Sequence, residues 1–366
     1  MTALQCLLVL LTLLLSAGLS APPDLTAYPW VYLRGGLPPD TSERLAEAMI
    51  VGDILLGRGV SVADDPLADV SPWLRAADLA VGNLEGVIVA SDVDCSQYAH
   101  PNGFQLLMPP SAAVALRQAG FDLVGVANNH ALDCGAEGLA DGLSSLREVS
   151  IEALGATASK DPAAWPVIRT VRGIRLAWLA FNMVPYPAGF GSLATDVSVP
   201  YERAITAVQA ARAAADAVIV LVHWGYEYEH RPDPAQEAAA RALLAAGADL
   251  VVGHHPHVAQ PVSVSVADAS TDAVVAYSLG NFVFDQQFDS TRVGLALRAF
   301  FDRDGLRALQ ALPVHAGPRP RLVSPDSATE ALARLILSTP DDRRLAFACG
   351  PMTAALPDPL SAASDY

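Results

Sequence analysis

Three histidines, His254, His255 and His257, stand within four positions, directly after Gly253 and a mostly apolar run at residues 248–252. Each buried imidazole nitrogen demands a hydrogen-bond partner, so a core gains nothing from clustering such rings, whereas a cation gains donors. The apolar run reads as a buried strand, and His255 and His257, two apart, point to the same side of an extended segment. The spacing predicts a loop that presents imidazoles to a metal ion. A polar loop with incidental histidines is the alternative.

The same design, a strand running into polar residues, occurs five more times. Residues 48–52 lead to Asp53, and residues 79–81 lead to Gly82-Asn83-Leu84-Glu85. Residues 121–127 deliver Asn128-Asn129-His130, with Asp133 and Gly135 close behind. Residues 217–222 end in His223, with Glu227, Glu229 and His230 beyond, and residues 273–279 lead to Gly280-Asn281 and on to Asp285. Helical spacing is found at residues 72–77, 111–120, 138–149, 201–216 and 234–246. Hairpins are expected at 167–181, turning at Arg172-Gly173, and at 294–312, turning at 302–305. This alternation predicts an α/β layered fold, in which ligands bind where strand C-termini open into loops.

Gathered at one edge, Asp53, Asn83 or Glu85, Asn129, His223, His255 and His257 offer only oxygen and imidazole nitrogen donors. That set suits divalent Mn, Fe, Zn or Mg better than a thiolate-bound metal. Two cations about 3.5 to 4 Å apart would share a carboxylate or hydroxide, and the latter is a nucleophile at neutral pH. Asp53 and the residue at Asn83 or Glu85 would hold the pair, with histidines completing each shell. His130 could protonate a leaving oxygen, and Arg58 could pair with a substrate anion. Each residue also has a plainer reading. Asn129 could cap a turn, His130 could be a hydrogen-bonded structural histidine, and Arg58 a structural ion pair. Asn281 could merely fix a turn, Glu227, Glu229 and His230 could be solvated charges, and Trp224, Phe282 and Phe284 read as core or pocket wall.

At 366 residues and 52% hydrophobic, the chain is long and apolar enough to bury a substantial core. Its formal charge of -16 argues against nucleic acid as a partner, since a polyanion is repelled at long range, and leaves any anionic substrate to local cations or metals. Residues 1–21 form a short apolar run ending in small residues, the pattern of a signal peptide and export. No Lys or Arg precedes that run, which leaves an uncleaved N-terminal anchor as the alternative. Beyond the leader, Cys95, Cys134 and Cys349 show no metal-site spacing. An exported protein could join Cys95 to Cys134; three free thiols are the alternative. The expected organisation is a leader at 1–21, a Pro/Gly-rich linker at 22–44, one domain at 45–315 and a C-terminal extension at 316–366. A last helix is expected over 327–337.

Six stretches together resemble the CapA family of poly-γ-glutamate capsule biosynthesis proteins, within the calcineurin-like metallophosphoesterase superfamily. They are Gly52-Asp53 with Gly57-Arg58; Gly82-Asn83-Leu84-Glu85; Asn128-Asn129-His130 with Asp133 and Gly135; His223-Trp224-Gly225 with Glu227; Gly253-His254-His255-Pro256-His257 with Gln260; and Ser278 through Asp285. The resemblance implies a four-layer α/β/β/α sandwich with metals at the strand ends. Asp53, Asn129-His130, His223 and His255 with His257 match the superfamily motifs. Two departures, typical of the CapA branch, are the missing second ligand of Asp-x-His and Asn83 where a metal-bridging aspartate is usual, with Glu85 two places on. Cys134 stands where an aromatic is common, and residues 91–103 look like a local elaboration. Glu227, His254 and Asn281 are expected on the substrate side. The expected protein is an exported, metal-dependent hydrolase or transferase acting on an anionic polymer or phosphoester, working with a membrane-bound capsule synthesis complex. A non-catalytic envelope component that binds poly-γ-glutamate, or a periplasmic metallophosphoesterase, are the alternatives.

Overall fold

The structure, a computed structural model, describes residues 25–28, 30–33, 39, 44–90, 92–98, 104–156, 161, 165–185, 201–268 and 271–324. Its strands in chain order begin with β1 (Trp30–Tyr32), β2 (Ala46–Ile54), β3 (Leu79–Leu84), β4 (Val87–Ile88), β5 (Leu107–Met108) and β6 (Leu123–Gly125). Then come β7 (Glu152–Leu154), β8 (Val167–Val171), β9 (Ile174–Asn182), β10 (Ala217–His223), β11 (Leu250–His254) and β12 (Val262–Asp268). The chain continues through β13 (Thr271–Ala276), β14 (Asn281–Val283), β15 (Val293–Asp302), β16 (Gly305–His315) and β17 (Arg321–Leu322). One sheet runs β1-β16-β15-β2-β3-β6-β7, with β14 beside the end of β2 and β17 beside β16. A second runs β12-β13-β11-β10-β9-β8, and β4 with β5 forms a small third.

The middle of each large sheet is parallel: β2, β3, β6 and β7 in the first, and β13, β11, β10 and β9 in the second. Parallel strands are covered on both faces, which explains their unbroken apolar runs. All seven residues of β10 are buried, and their alternation sorts them between two cores. Ile219 and Leu221 join a cluster with Met49, Ile50 and Val81 of the first sheet. Val218, Val220 and Val222 pack instead with Ala204, Val208, Ala211, Ala240 and Leu243 of the helices Tyr201–Ala214 and Pro234–Ala245. Fully burying each such Val or Leu is worth about 1.5–3 kcal/mol. The observed architecture is therefore α/β, two sheets sharing one core, with helices on the far side of the second.

Helix ends follow local chemistry. Asp233 caps Pro234–Ala245 through the amides of Ala235 and Gln236, and the Gln236 side chain returns to the Asp233 amide, a complete capping box. The helix Ser111–Ala119 stops at Gly120, whose φ of 110° suits glycine. The expected hairpins are present as β8 with β9 and β15 with β16.

The stretch read as a linker needs correction. Trp30–Tyr32 is an edge strand on β16, and Leu25, Tyr28, Val31 and Leu33 are buried in the main core. Gln310 draws it in by donating to the carbonyls of Leu25 and Tyr28, while Trp30 lies over Arg298, itself paired with Glu47. Three residues are too few to show a period, so the strand was invisible to pattern reading. The same holds for β17, inside the expected C-terminal extension, which pairs with β16. Strand β12 was also unforeseen. The leader, the helix expected at 327–337 and Cys349 lie outside the described residues. Among the described residues no helix is long and apolar enough to cross a membrane.

Candidate metal centre

The ends of four parallel strands, two from each sheet, meet at one place. Asp53 and Asn83 are the last residues but one of β2 and β3, with Glu85 just beyond the latter; His223 closes β10, His254 closes β11, and His255 and His257 follow. Asp53 and Glu85 are fully buried, and all four histidines are at most 5% exposed. Their donor atoms form two groups, Glu85 with His223 and His255, and Asp53 with Glu85 and His257; within each, the atoms lie within 4.8 Å of one another. Glu85 belongs to both. The site is thus two adjacent donor triads sharing one carboxylate, the arrangement a cation pair needs.

Glycines let the strands close in. A Cβ on Gly52 would lie 2.0 Å from the Gly280 carbonyl oxygen, and one on Gly253 would lie 1.9 Å from that of Tyr277. The approach at Gly52 lets the Asp53 amide donate to Gly280, which sets Asp53 beside β14. His255 and His257 adopt left-handed φ values of 97° and 58°. Such backbone costs of order 1–3 kcal/mol per residue and collects at functional sites.

A shell of amides orients the donors. Asn83 donates from Nδ2 to Asp53 Oδ1 at 2.8 Å, and its Oδ1 accepts from Asn128 Nδ2 at 3.3 Å. So engaged, Asn83 braces Asp53. Asn128 also donates to the Leu84 carbonyl and accepts from the His130 amide. Asn129 Oδ1 lies 2.7 Å from His223 Nε2, at the edge of the first triad. His257 Nδ1 is 2.9 Å from Asn281 Oδ1; Asn281 donates on to Gln286, and Gln286 to the Tyr228 hydroxyl. This chain fixes the His257 ring so that Nε2 faces Glu85 Oε1 at 3.5 Å.

The electrostatics are those of a cation site. Both Glu85 oxygens, His255 Nδ1 and both ring nitrogens of His254 are buried without a hydrogen-bond partner. His254 Nδ1 lies 3.2 Å from Asp53 Oδ1, near enough to feel its charge but not aligned as a hydrogen bond. Native cores rarely leave so many polar atoms unpaired, and a divalent cation would satisfy them, so the residues present fit one. Burial pushes Glu85 well above the usual carboxylate range, against the pull of His257 and with repulsion from Asp53, Glu227 and Asp133. For Asp53 burial acts upward too, yet His254 and His257 hold it well below its ordinary value. Burial opposes a charge on His257 as well, but Glu85 and Asp53 raise it to about 9. Burial, helped by neighbouring imidazoles, lowers His223 well below 6.5 and His255 to about 3. Both stay neutral, as ligands must.

The remaining candidates fall in different places. His130 sits beside Asn129 with Nδ1 2.8 Å from Asp133 Oδ2, and Asp133 is fully buried. Arg58 makes a two-pronged pair with Asp285. His254 and Asn281, expected on the substrate side, are both 1% exposed: one faces Asp53 and the other orients His257. Glu227 lies on an exposed turn at the rim, close enough to act on His257, Glu85 and Tyr228. Trp224, Phe282 and Phe284 are buried wall residues, with Phe284 5.0 Å from the His257 ring. Cys95 and Cys134 are joined in a disulfide. Pattern reading missed the roles of Gln105, Asn128, Gln286 and Tyr228, whose side chains bond across large sequence separations; of these, Asn128 alone carried a signal, its place directly before Asn129-His130.

The model of the family described as bacterial capsule synthesis protein PGA_cap matches residues 47–286, which hold every donor named above. The chain is 34% identical over 295 residues to the capsule biosynthesis protein CapA of Bacillus anthracis, covering 76% of this chain and 70% of that one. It is 32% identical over 283 residues to the PGA biosynthesis protein CapA of Bacillus subtilis (strain 168), covering 75% and 72%. A hypothetical protein from Thermus thermophilus, solved by crystallography, aligns at a TM-score of 0.45 and 16% identity, over 73% of this chain and 98% of that one. The family match spans the whole strand-end cluster, and the two CapA relatives span three quarters of the chain: it belongs to the CapA family of bacterial capsule synthesis proteins.

Proposed function

We propose that the chain is an exported, metal-dependent hydrolase or transferase that acts on an anionic polymer or phosphoester during capsule or poly-γ-glutamate synthesis at the cell envelope. The observation that carries this reading is Glu85, a carboxylate without hydrogen-bond partners that belongs to both donor triads. Asp53 and His257 complete one cation position, and His223 and His255 the other, with Asn129 beside the latter. Two divalent cations, Mn, Fe, Zn or Mg, held there would neutralise substrate charge and lower the pKa of water. His130, its Nδ1 against Asp133, presents Nε2 to a leaving oxygen for proton transfer. In a chain of charge -16 the anion is gathered by this local site and not by the surface at large. The two sheets with their helices fit the four-layer α/β/β/α plan of metallophosphoesterases. The apolar leader and the Cys95–Cys134 bridge fit an oxidising, extracytoplasmic compartment. The names of the CapA relatives fit work beside a membrane-bound capsule synthesis complex.

The test joins metal analysis of the purified protein with turnover of a phosphodiester and of a γ-glutamyl polymer. The expected result is about two cations per chain, and turnover that falls with chelation and with His130→Ala. Bound metal with no turnover of either substrate would favour the non-catalytic, polymer-binding alternative. No bound metal would sink both.

A further inference from the structure

We propose that the Cys95–Cys134 bridge, together with Gln105, is a positioning clamp for the His130 and Asp133 pair. The inference rests on the role given to His130 above. Cys134 directly follows Asp133, so the bridge ties the excursion between β4 and β5 to the residue beside the buried carboxylate. Gln105 spans the same junction: its Nε2 donates to the Cys95 carbonyl at 2.7 Å and to the Asp133 carbonyl at 2.5 Å. The next residue, Leu106, donates its amide to Asp133 Oδ2 at 2.6 Å, the oxygen that faces His130 Nδ1. Tyr98, whose amide bonds to the Cys95 carbonyl, covers Gly135, where an added Cβ would lie 2.4 Å from the Tyr98 ring. The excursion therefore grips residues 133–135 by a covalent bond, a shared amide, a backbone hydrogen bond and a ring.

The bridge does little for the main core. Cys95 and Cys134 pack in a small separate cluster with Val87 and Val89. A device whose purpose was only to staple the fold would be better placed between the two large sheets. Here the bridge, Gln105 and Leu106 hold residues 133–134, and Leu106 bonds the Asp133 carboxylate that faces the His130 ring and sets its tautomer and aim. A carboxylate shifted by about 1 Å leaves the donor present but misdirected, and misplacement of that size costs about a hundredfold in rate.

The test uses the full chain as the Cys95→Ser/Cys134→Ser double variant, with Gln105→Ala as the milder second variant should the first fold poorly. Hydrogen exchange at the Leu106 amide, metal content, and kcat and KM on bis(p-nitrophenyl) phosphate are measured. Expected are Leu106 exchange at least tenfold faster, unchanged exchange in β2, β10 and β11, and unchanged metal content. With these, kcat falls at least tenfold at constant KM, and the loss vanishes in a His130→Ala background, because residues acting as a unit are not additive. Retained Leu106 protection in both variants overturns the clamp. So does a loss of kcat that multiplies with that of His130→Ala. If the metal-loaded parent turns over nothing, the hydrolase reading fails, while Leu106 exchange still decides whether the clamp exists.

Discussion

Replacing Glu85 with methionine should invert the protein's response to metal. In the metal-free chain the Glu85 carboxyl is fully buried and neither oxygen has a hydrogen-bond partner. Leaving such a group unsatisfied costs about 1–3 kcal/mol, which an apolar side chain of similar length recovers. Methionine is flexible enough to fill the space without strain. For a domain of this size each kcal/mol moves Tm by about 2–4 °C, so in chelator the variant should melt about 2 to 12 °C above the parent. His257 loses a charged neighbour in the exchange but keeps its bond to Asn281. With metal the order reverses. A free cation at a thousand times its Kd stabilises the parent by about 4.1 kcal/mol per site, and Glu85→Met removes a donor from both sites at once. Thermal melts of the two proteins, each in chelator and in excess Mn or Zn, test this directly. A variant that melts below the parent in chelator, or that gains as much from metal as the parent does, would refute the shared-carboxylate reasoning.

Metal affinity should rise with pH. His257, raised to about 9, carries a proton in the metal-free protein at neutral pH, and a cation held by its ring must displace it. Affinity should therefore increase by up to about tenfold per pH unit up to about pH 9 and then level off; titration calorimetry in buffers of different ionisation enthalpy should register one released proton, and a flat profile would argue against it. Asn281→Ala frees the His257 ring and should weaken metal binding by about 10–100-fold while leaving the fold intact, as read by competition with a chelating dye. Arg58→Ala removes a partly exposed ion pair, so denaturant unfolding should show a loss within about 1 kcal/mol and metal content should not change; a large loss of substrate affinity would restore Arg58 as an anion clamp.

Residue types, and where along each strand they fall, were legible from the chain alone. The apolar runs at β10 and β11, the glycines at 52, 82 and 253, and polar residues at six strand ends announced an α/β fold with one functional edge. Because strand periodicity and glycine punctuation are local, they can be read without coordinates. Which polar residue faces which was not local. Asn83 and Glu85 are two apart on the same strand end, and only the packing of the second sheet brought His223, His255 and His257 to Glu85, while Asn83 bonds Asp53 on the neighbouring strand. Arg58 was claimed by Asp285, 227 residues away, and His254 and Asn281 turned inward because sheet register brought Asp53 and His257 to them. Edge strand β1 was likewise decided by Gln310, far along the chain. Local pattern thus sets the inventory and its period. Pairings across hundreds of residues depend on how two sheets pack, and no window of sequence contains that packing.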